Sequence, residues 1–210
     1  MRLYIGNKNL SSWSMRAWLV CTAFDLPFEE IVVPFSQAPD CSFQQTMQRI
    51  HPNGKVPALQ DGDVLVWDSL AICEYLAERF PEKALYPKDA QQRVRARCIS
   101  AEMHSSFMQL RQLCGMNIKA DLREAGAGLW AEHEGLRKEM QRIEQIWAGR
   151  PQSDGFLCGN FSIADAFYAP VIMRIQSYGL PLSQDAQRYM QTMLTHSSVQ
   201  AWVLGAQAEI

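Results

Sequence analysis

The chain has 210 residues, 48% of them hydrophobic and 20% charged, with a formal net charge of −2. That length buries a real core and accommodates one large domain or two small ones. The near-neutral balance argues against nucleic acid or an anionic membrane as the main partner, and no apolar run approaches the roughly 20 residues of a transmembrane helix. Leu3 to Gly6 reads as a short strand, too brief and too polar-flanked for a signal peptide. After a polar loop, Asn7 to Ser12, residues Met15, Trp18, Leu19 and Thr22 follow helical spacing, with Ser12 or Ser14 as cap. Asp25-Leu26-Pro27 ends that helix, and Phe28 to Val33 is a β-branched run closed by Pro34.

A short helix near Phe43 to Ile50 leads into a hairpin, Val56 to Gln60 and Val64 to Trp67, around Asp61-Gly62-Asp63. Ile72, Leu76 and Phe80 set the apolar stripe of a closing helix. The order β-α-β-α-β-β-α predicts a thioredoxin-like α/β domain over residues 1–80. Residues 81–89 read as a linker with Pro81 and Pro87 as helix stops, and 90–210 as an all-helical domain. Val94, Cys98 and Ala101 mark one helix face; Leu129, Leu136, Met140, Ile143 and Trp147 mark another. Arg93, Arg95 and Arg97 read as a solvated surface. Ser162-Ile163-Ala164-Asp165 opens a further helix as a capping box that serves folding, and Pro170 should kink it. Helices are expected over Gln184 to Thr195 and Val199 to Ala206.

The six cysteines (21, 41, 73, 98, 114 and 158) form no C-x-x-C pair and no metal-ligand spacing. Cys21, Cys73 and Cys98 fall in helical apolar patterns, where a free cysteine is a small core residue. The expectation is a reducing, cytoplasmic setting and no metal. His51, His104, His133 and His196 are scattered and form no ligand set.

Two short pieces carry the chemistry. In Gly54-Lys55-Val56-Pro57-Ala58-Leu59 a proline stands where a strand begins, and proline is otherwise kept out of paired strand interiors. A cis Val56-Pro57 bond would aim the Val56 N–H and C=O outward, to pair with an extended peptide. In Trp67-Asp68-Ser69-Leu70-Ala71-Ile72 a helix starts behind Asp68 and Ser69, and its free N–H groups suit a carboxylate. A peptide clamp beside a carboxylate site suits a short acidic peptide such as glutathione.

Together with Ser11-Ser12-Trp13-Ser14-Met15-Arg16 and Gly159-Asn160-Phe161-Ser162-Ile163-Ala164-Asp165, these pieces resemble the cytosolic glutathione S-transferases over essentially the full chain. The serine-rich opening is most similar to the zeta class and its bacterial relatives. The resemblance implies a glutathione-binding N-terminal domain, a helical domain shaping the second substrate's pocket, and a homodimer. It aligns Ser11 with the catalytic serine, with Ser12 next; Ser14 reads as a helix cap and Arg16 as structural. Val56 and Pro57 would hold the cysteinyl unit, Lys55 the glycyl carboxylate, and Asp68 and Ser69 the γ-glutamyl end, both also capping their helix. His104, Met108, Arg111 and Arg174 would line the electrophile pocket. Two positions depart from the zeta pattern: Ser177 replaces an arginine that grips an acidic substrate, with Arg174 three positions earlier, and Met108 replaces a glutamine. The catalytic cysteine of omega-like members is also absent, which argues against thiol exchange with a protein cysteine.

The implied activity is conjugation of glutathione to a small electrophile, with no metal. Its rivals are glutathione-dependent cis-trans isomerisation of the maleylacetoacetate type, and a non-catalytic interaction module of the same fold.

Overall fold

The computed structural model describes residues 1–36 and 42–209, so Cys41 lies outside the described residues. The first elements are β1 (Arg2–Ile5), α1 (Ser12–Ala23), β2 (Glu29–Val32), α2 (Phe43–Ile50), β3 (Ala58–Asp61), β4 (Val64–Trp67) and α3 (Ser69–Arg79). β1 pairs parallel with β2 and antiparallel with β3, and β4 pairs antiparallel with β3, giving the sheet order β2-β1-β3-β4. Gly62 closes the β3–β4 hairpin at φ +58, a left-handed position that costs glycine no steric strain. This is the predicted order, and it is that of a thioredoxin-like fold.

A 3-10 turn at Pro81–Lys83 follows, and the remaining elements are helical: α4 (Ala90–Ser105), α5 (Met108–Leu113), α6 (Arg123–Glu132), α7 (Glu134–Ala148), α8 (Ile163–Tyr178), α9 (Gln184–Leu194) and α10 (Ser197–Ala208). α8 is apolar on almost every side and buried along its whole length except at Gln176, as a helix without a polar face must be. It runs as one helix through Pro170. α1 packs on both β1 and α8. Leu3, Ile5 and Leu59 of the sheet therefore share one core with Met15 and Leu19 of α1 and Phe167 of α8. Among the described residues, no helix is long and apolar enough to cross a membrane.

Four local expectations are corrected. The face Val94, Cys98 and Ala101 of α4 is exposed, and the buried face is Ala96, Ile99, Ser100 and Met103. Cys98 is thus a surface thiol, whereas Cys21 and Cys73 are buried as expected. Arg95, expected on a solvated surface, instead donates from its Nη2 to the Ile146 carbonyl at 2.6 Å and ties α4 to α7. The stripe from Leu129 to Trp147 is two helices, α6 and α7, parted at His133. Finally, Ser11 rather than Ser12 or Ser14 caps α1.

Candidate functional site

The second piece of sequence folds into a strained helix start. Asp68 sits at φ +79, ψ 134, a conformation that costs a non-glycine residue about 1–3 kcal/mol. The surrounding bonds hold it there. Its Oδ1 accepts from the Leu70 N–H at 2.8 Å and the Ala71 N–H at 3.3 Å, capping α3. Its Oδ2 faces His104 Nε2 of α4 at 3.4 Å. Beside it Ser69 is buried, and its hydroxyl has no partner among the described residues. Its oxygen and the free N–H groups of this helix start are therefore available for further hydrogen bonds.

The first piece lies across the same cavity. The Val56-Pro57 bond is cis. Among the described residues neither the N–H nor the C=O of Val56 takes a hydrogen-bond partner. His51, the residue that ends α2, is stacked on Trp67, and its Nε2 lies 2.7 Å from the Lys55 carbonyl, fixing the approach to Val56. Lys55, Val56, Pro57, Asp68 and Ser69 line one cavity of about 250 Å³, with Trp13, His51 and Asn53 completing its wall. Wider concavities lie elsewhere, among them one of about 720 Å³ along α8–α9 and one of about 400 Å³ beside Ile118–Arg123. Neither holds Lys55, Val56, Asp68 or Ser69.

The two candidate serines stand at the start of α1, immediately before Trp13. The Ser11 hydroxyl donates to Ser14 Oγ at 2.7 Å and accepts the Ser14 N–H at 3.4 Å. Ser14 Oγ in turn accepts the Gly6 N–H at 3.1 Å, so Ser14 braces α1 against the end of β1. Ser12 Oγ accepts from Arg174 Nη2 of α8 at 3.2 Å. An acceptor bond from a guanidinium occupies a lone pair and leaves the Ser12 O–H free to donate.

Two guanidiniums flank Trp13, and a third, Arg174, bonds the neighbouring Ser12. Arg16 lies over the Trp13 ring at 4.4 Å and over Phe167 at 4.7 Å, and Arg111 lies over the Trp13 ring at 4.8 Å. Arg111 is anchored to the end of α4 through the Ser106 carbonyl at 2.8 Å and the Met103 carbonyl. Arg174 Nε donates to the Cys114 carbonyl at 2.8 Å. Among the described residues no carboxylate pairs with any of the three. Arg16 Nε and Nη1 and Arg174 Nη1 are buried without partners. Burial, reinforced by the Arg111 charge, pushes Arg16 down to about 9 and Arg174 to about 10. Both stay cationic at neutral pH. Burial also lowers His104, with the charges of Arg16 and Arg111 adding and Asp68 opposing.

Lys55, Val56, Pro57, Asp68 and Ser69 thus converge directly. His104 joins them through Asp68, Arg111 through Trp13, and Arg174 through Ser12. Met108 lies half exposed on the short α5 and does not line this cavity. Trp13, His51 and Asn53 line the cavity but were not expected there. The only trace of Trp13 in the sequence is a large aromatic in the first turn of a capped helix. Among the described residues, no cluster of three or more His, Cys, Asp or Glu side chains is placed to hold a metal.

Residues 10–79 match the family model described as "Glutathione S-transferase, N-terminal domain". Glutathione S-transferase 1 of Dianthus caryophyllus is 28% identical over 88% of this chain and 81% of its own length. A Caenorhabditis elegans protein named "Probable maleylacetoacetate isomerase" is 28% identical over 86% of this chain and 81% of its own. The crystal structure of a glutathione transferase homolog from "Burkholderia GL BGR1", with bound glutathione, superposes with a TM-score of 0.70 at 25% identity, covering 99% of this chain and 98% of that one.

Proposed function

Because the chain belongs to the cytosolic glutathione S-transferase superfamily, we propose that it transfers the thiolate of glutathione to a small electrophile. The observation that carries this reading is the convergence of Lys55, Val56, Asp68 and Ser69 on one cavity. The Val56 N–H and C=O pair with the cysteinyl unit, and Lys55 takes the glycyl carboxylate. Ser69 receives the γ-glutamyl carboxylate with its N–H and hydroxyl, and Asp68 Oδ2 takes the ammonium.

A free thiol has a pKa of about 8.5, and only the thiolate is reactive. The N-terminus of α1, a donated serine hydroxyl and the nearby Arg16 and Arg174 charges all favour the anion. Ser12 is the favoured donor, since Arg174 holds its oxygen while its proton stays free; the Ser11 hydroxyl is engaged with Ser14. The thiolate sulfur forms a bond to the electrophilic carbon, and the leaving group departs with its electron pair. The protein works as a homodimer, with no metal.

The unpaired arginines support a second reading within the same chemistry. Conjugated acids that add the thiolate, rotate about the resulting single bond and expel it again would present a carboxylate to Arg111 and Arg174. This is isomerisation of the maleylacetoacetate type. Retention on immobilised glutathione, followed by a screen of neutral electrophiles and conjugated acids read by both thiol consumption and product formation, tests both. Turnover of neutral electrophiles alone favours conjugation, and product without net thiol loss favours isomerisation. A protein that neither binds glutathione nor consumes it is the non-catalytic module.

A further inference from the structure

The loop that delivers Ser11 and Ser12 is held by a residue two hundred positions away. Glu209 follows α10 and turns its carboxylate on two successive amides: Oε1 accepts the Lys8 N–H at 2.5 Å and Oε2 the Asn9 N–H at 3.0 Å. Three further bonds lock the same stretch. Trp202 Nε1 donates to the Lys8 carbonyl at 3.0 Å, Lys119 N–H to Asn9 Oδ1 at 3.0 Å, and Ile118 N–H to the Asn9 carbonyl at 3.3 Å. Lys119 Nζ reaches back to the Glu209 carbonyl at 2.6 Å, closing the ring of contacts. From there the constraint runs straight to the serines, because Asn7 accepts the Ser11 N–H at 2.8 Å on its carbonyl.

Residues 7–10 contribute no helix or strand hydrogen bonds of their own. Charge-assisted bonds are about twice as strong as neutral ones, and Glu209 supplies two of them to consecutive donors. A group that must meet a reacting atom has to be held to within about 0.5 Å by its supporting contacts. We propose that Glu209 is a positioning residue for thiolate stabilisation: its carboxylate fixes the loop Asn7–Leu10 and thereby sets the start of α1, where the serine hydroxyl meets the sulfur. The proposal rests on the transferase reading above. It separates the two halves of glutathione recognition, because Val56, Asp68 and Ser69 lie on other elements and do not touch Glu209.

The test compares the parent with Glu209→Ala and Glu209→Gln by three readouts. These are amide hydrogen exchange at Lys8 to Ser12, ultraviolet titration of the bound thiolate, and kcat and KM for glutathione with whichever electrophile the screen finds. Glu209→Ala should speed exchange at Lys8 and Asn9 at least tenfold, raise the pKa of bound glutathione and lower kcat about tenfold. Its KM for glutathione should stay within about twofold. Glu209→Gln, which keeps one acceptor oxygen, should fall between. Added to Ser12→Ala, Glu209→Ala should raise the thiolate pKa no further. Unchanged exchange in Glu209→Ala overturns the latch. Faster exchange with an unmoved thiolate pKa and kcat overturns the positioning role and leaves tail docking as structural. If glutathione bound to the parent titrates like the free thiol, the serine reading fails first and takes the role of Glu209 with it.

Discussion

Helices α3 and α8 both begin with an aspartate beside a serine, Asp68-Ser69 in one and Ser162 with Asp165 in the other. At α8 the carboxylate is completely buried and saturated. Oδ1 accepts the Leu157 N–H at 2.9 Å and the Tyr189 hydroxyl at 3.1 Å; Oδ2 accepts the Ser162 N–H at 3.0 Å and its hydroxyl at 3.1 Å. Burial pushes its pKa up to about 6 against the pull of those four donors. At α3 only Oδ1 caps the helix, Oδ2 meets His104 alone, the backbone is left-handed, and the neighbouring hydroxyl is unpaired. Two starts with similar chemistry therefore differ in spare capacity. A saturated cap holds a fold together; a strained cap with polar groups left over is where a ligand belongs.

The largest expected effect falls on the saturated cap. Asp165→Ala leaves four buried donors without an acceptor and should lower unfolding free energy by roughly 3 kcal/mol or more. Urea denaturation at neutral pH reads this directly. Glutathione affinity of the folded fraction should not change; a variant that keeps parental stability, or one that folds but loses glutathione, breaks the comparison.

Asp68→Ala should show the reverse balance. Losing the cap costs about 1 kcal/mol of stability, and alanine relieves none of the strain at φ +79, where aspartate is the better tolerated residue. Losing a charge-assisted bond to the ammonium costs about 1.5–3 kcal/mol of binding, or roughly 10- to 150-fold in Kd. Ser69→Ala should weaken glutathione binding with still less effect on folding. If both variants bind like the parent, the spare capacity at α3 is not a ligand site.

A third effect sharpens the site itself. Ser12→Ala should raise the pKa of bound glutathione by between about one and two and slow turnover with glutathione affinity nearly intact. Ser11→Ala should instead act mainly on stability, because Ser11 caps α1 and braces Ser14. The opposite ranking returns the catalytic role to Ser11.

The contrast between the caps was largely legible in the sequence, since capping is local chemistry: S-x-x-D and D-S before an apolar run name both helix starts. The strand and helix order was legible for the same reason, through periodicity and turn residues. What the sequence hid is tertiary. Ala96, Ile99, Ser100 and Met103 form the buried face of α4 although Val94 and Cys98 are as apolar, because which stripe is buried depends on where α8 lies. The choice among Ser11, Ser12 and Ser14 depends on Gly6 and Arg174, and the burial of Arg16 on Phe167. Glu209 reaches the serine loop only once α10 is docked. None of these contacts leaves a spacing to read.

The smallest effect concerns the one partner that Asp68 Oδ2 already has. Burial holds His104 below the ordinary histidine range, so it is neutral at pH 7 and does not compete for Asp68 with the ammonium group proposed to bind there. A base with a depressed pKa binds fewer protons folded than unfolded, so acidification below about 6.5 lowers stability through this group. The same protonation sets a cation 3.4 Å from Asp68 Oδ2, where it competes with the ligand. A partly exposed pair of this kind is worth about 0.2–1 kcal/mol, up to about fivefold in affinity. S-methylglutathione, which has no thiol to titrate, isolates this term. Its affinity should fall as pH drops from 7 to 5.5 in the parent and stay nearly flat in His104→Gln, while the charges of Arg16 and Arg111 remain constant across that range. A parent affinity that rises on acidification, or falls equally in the variant, means that Asp68 does not hold the ammonium through Oδ2.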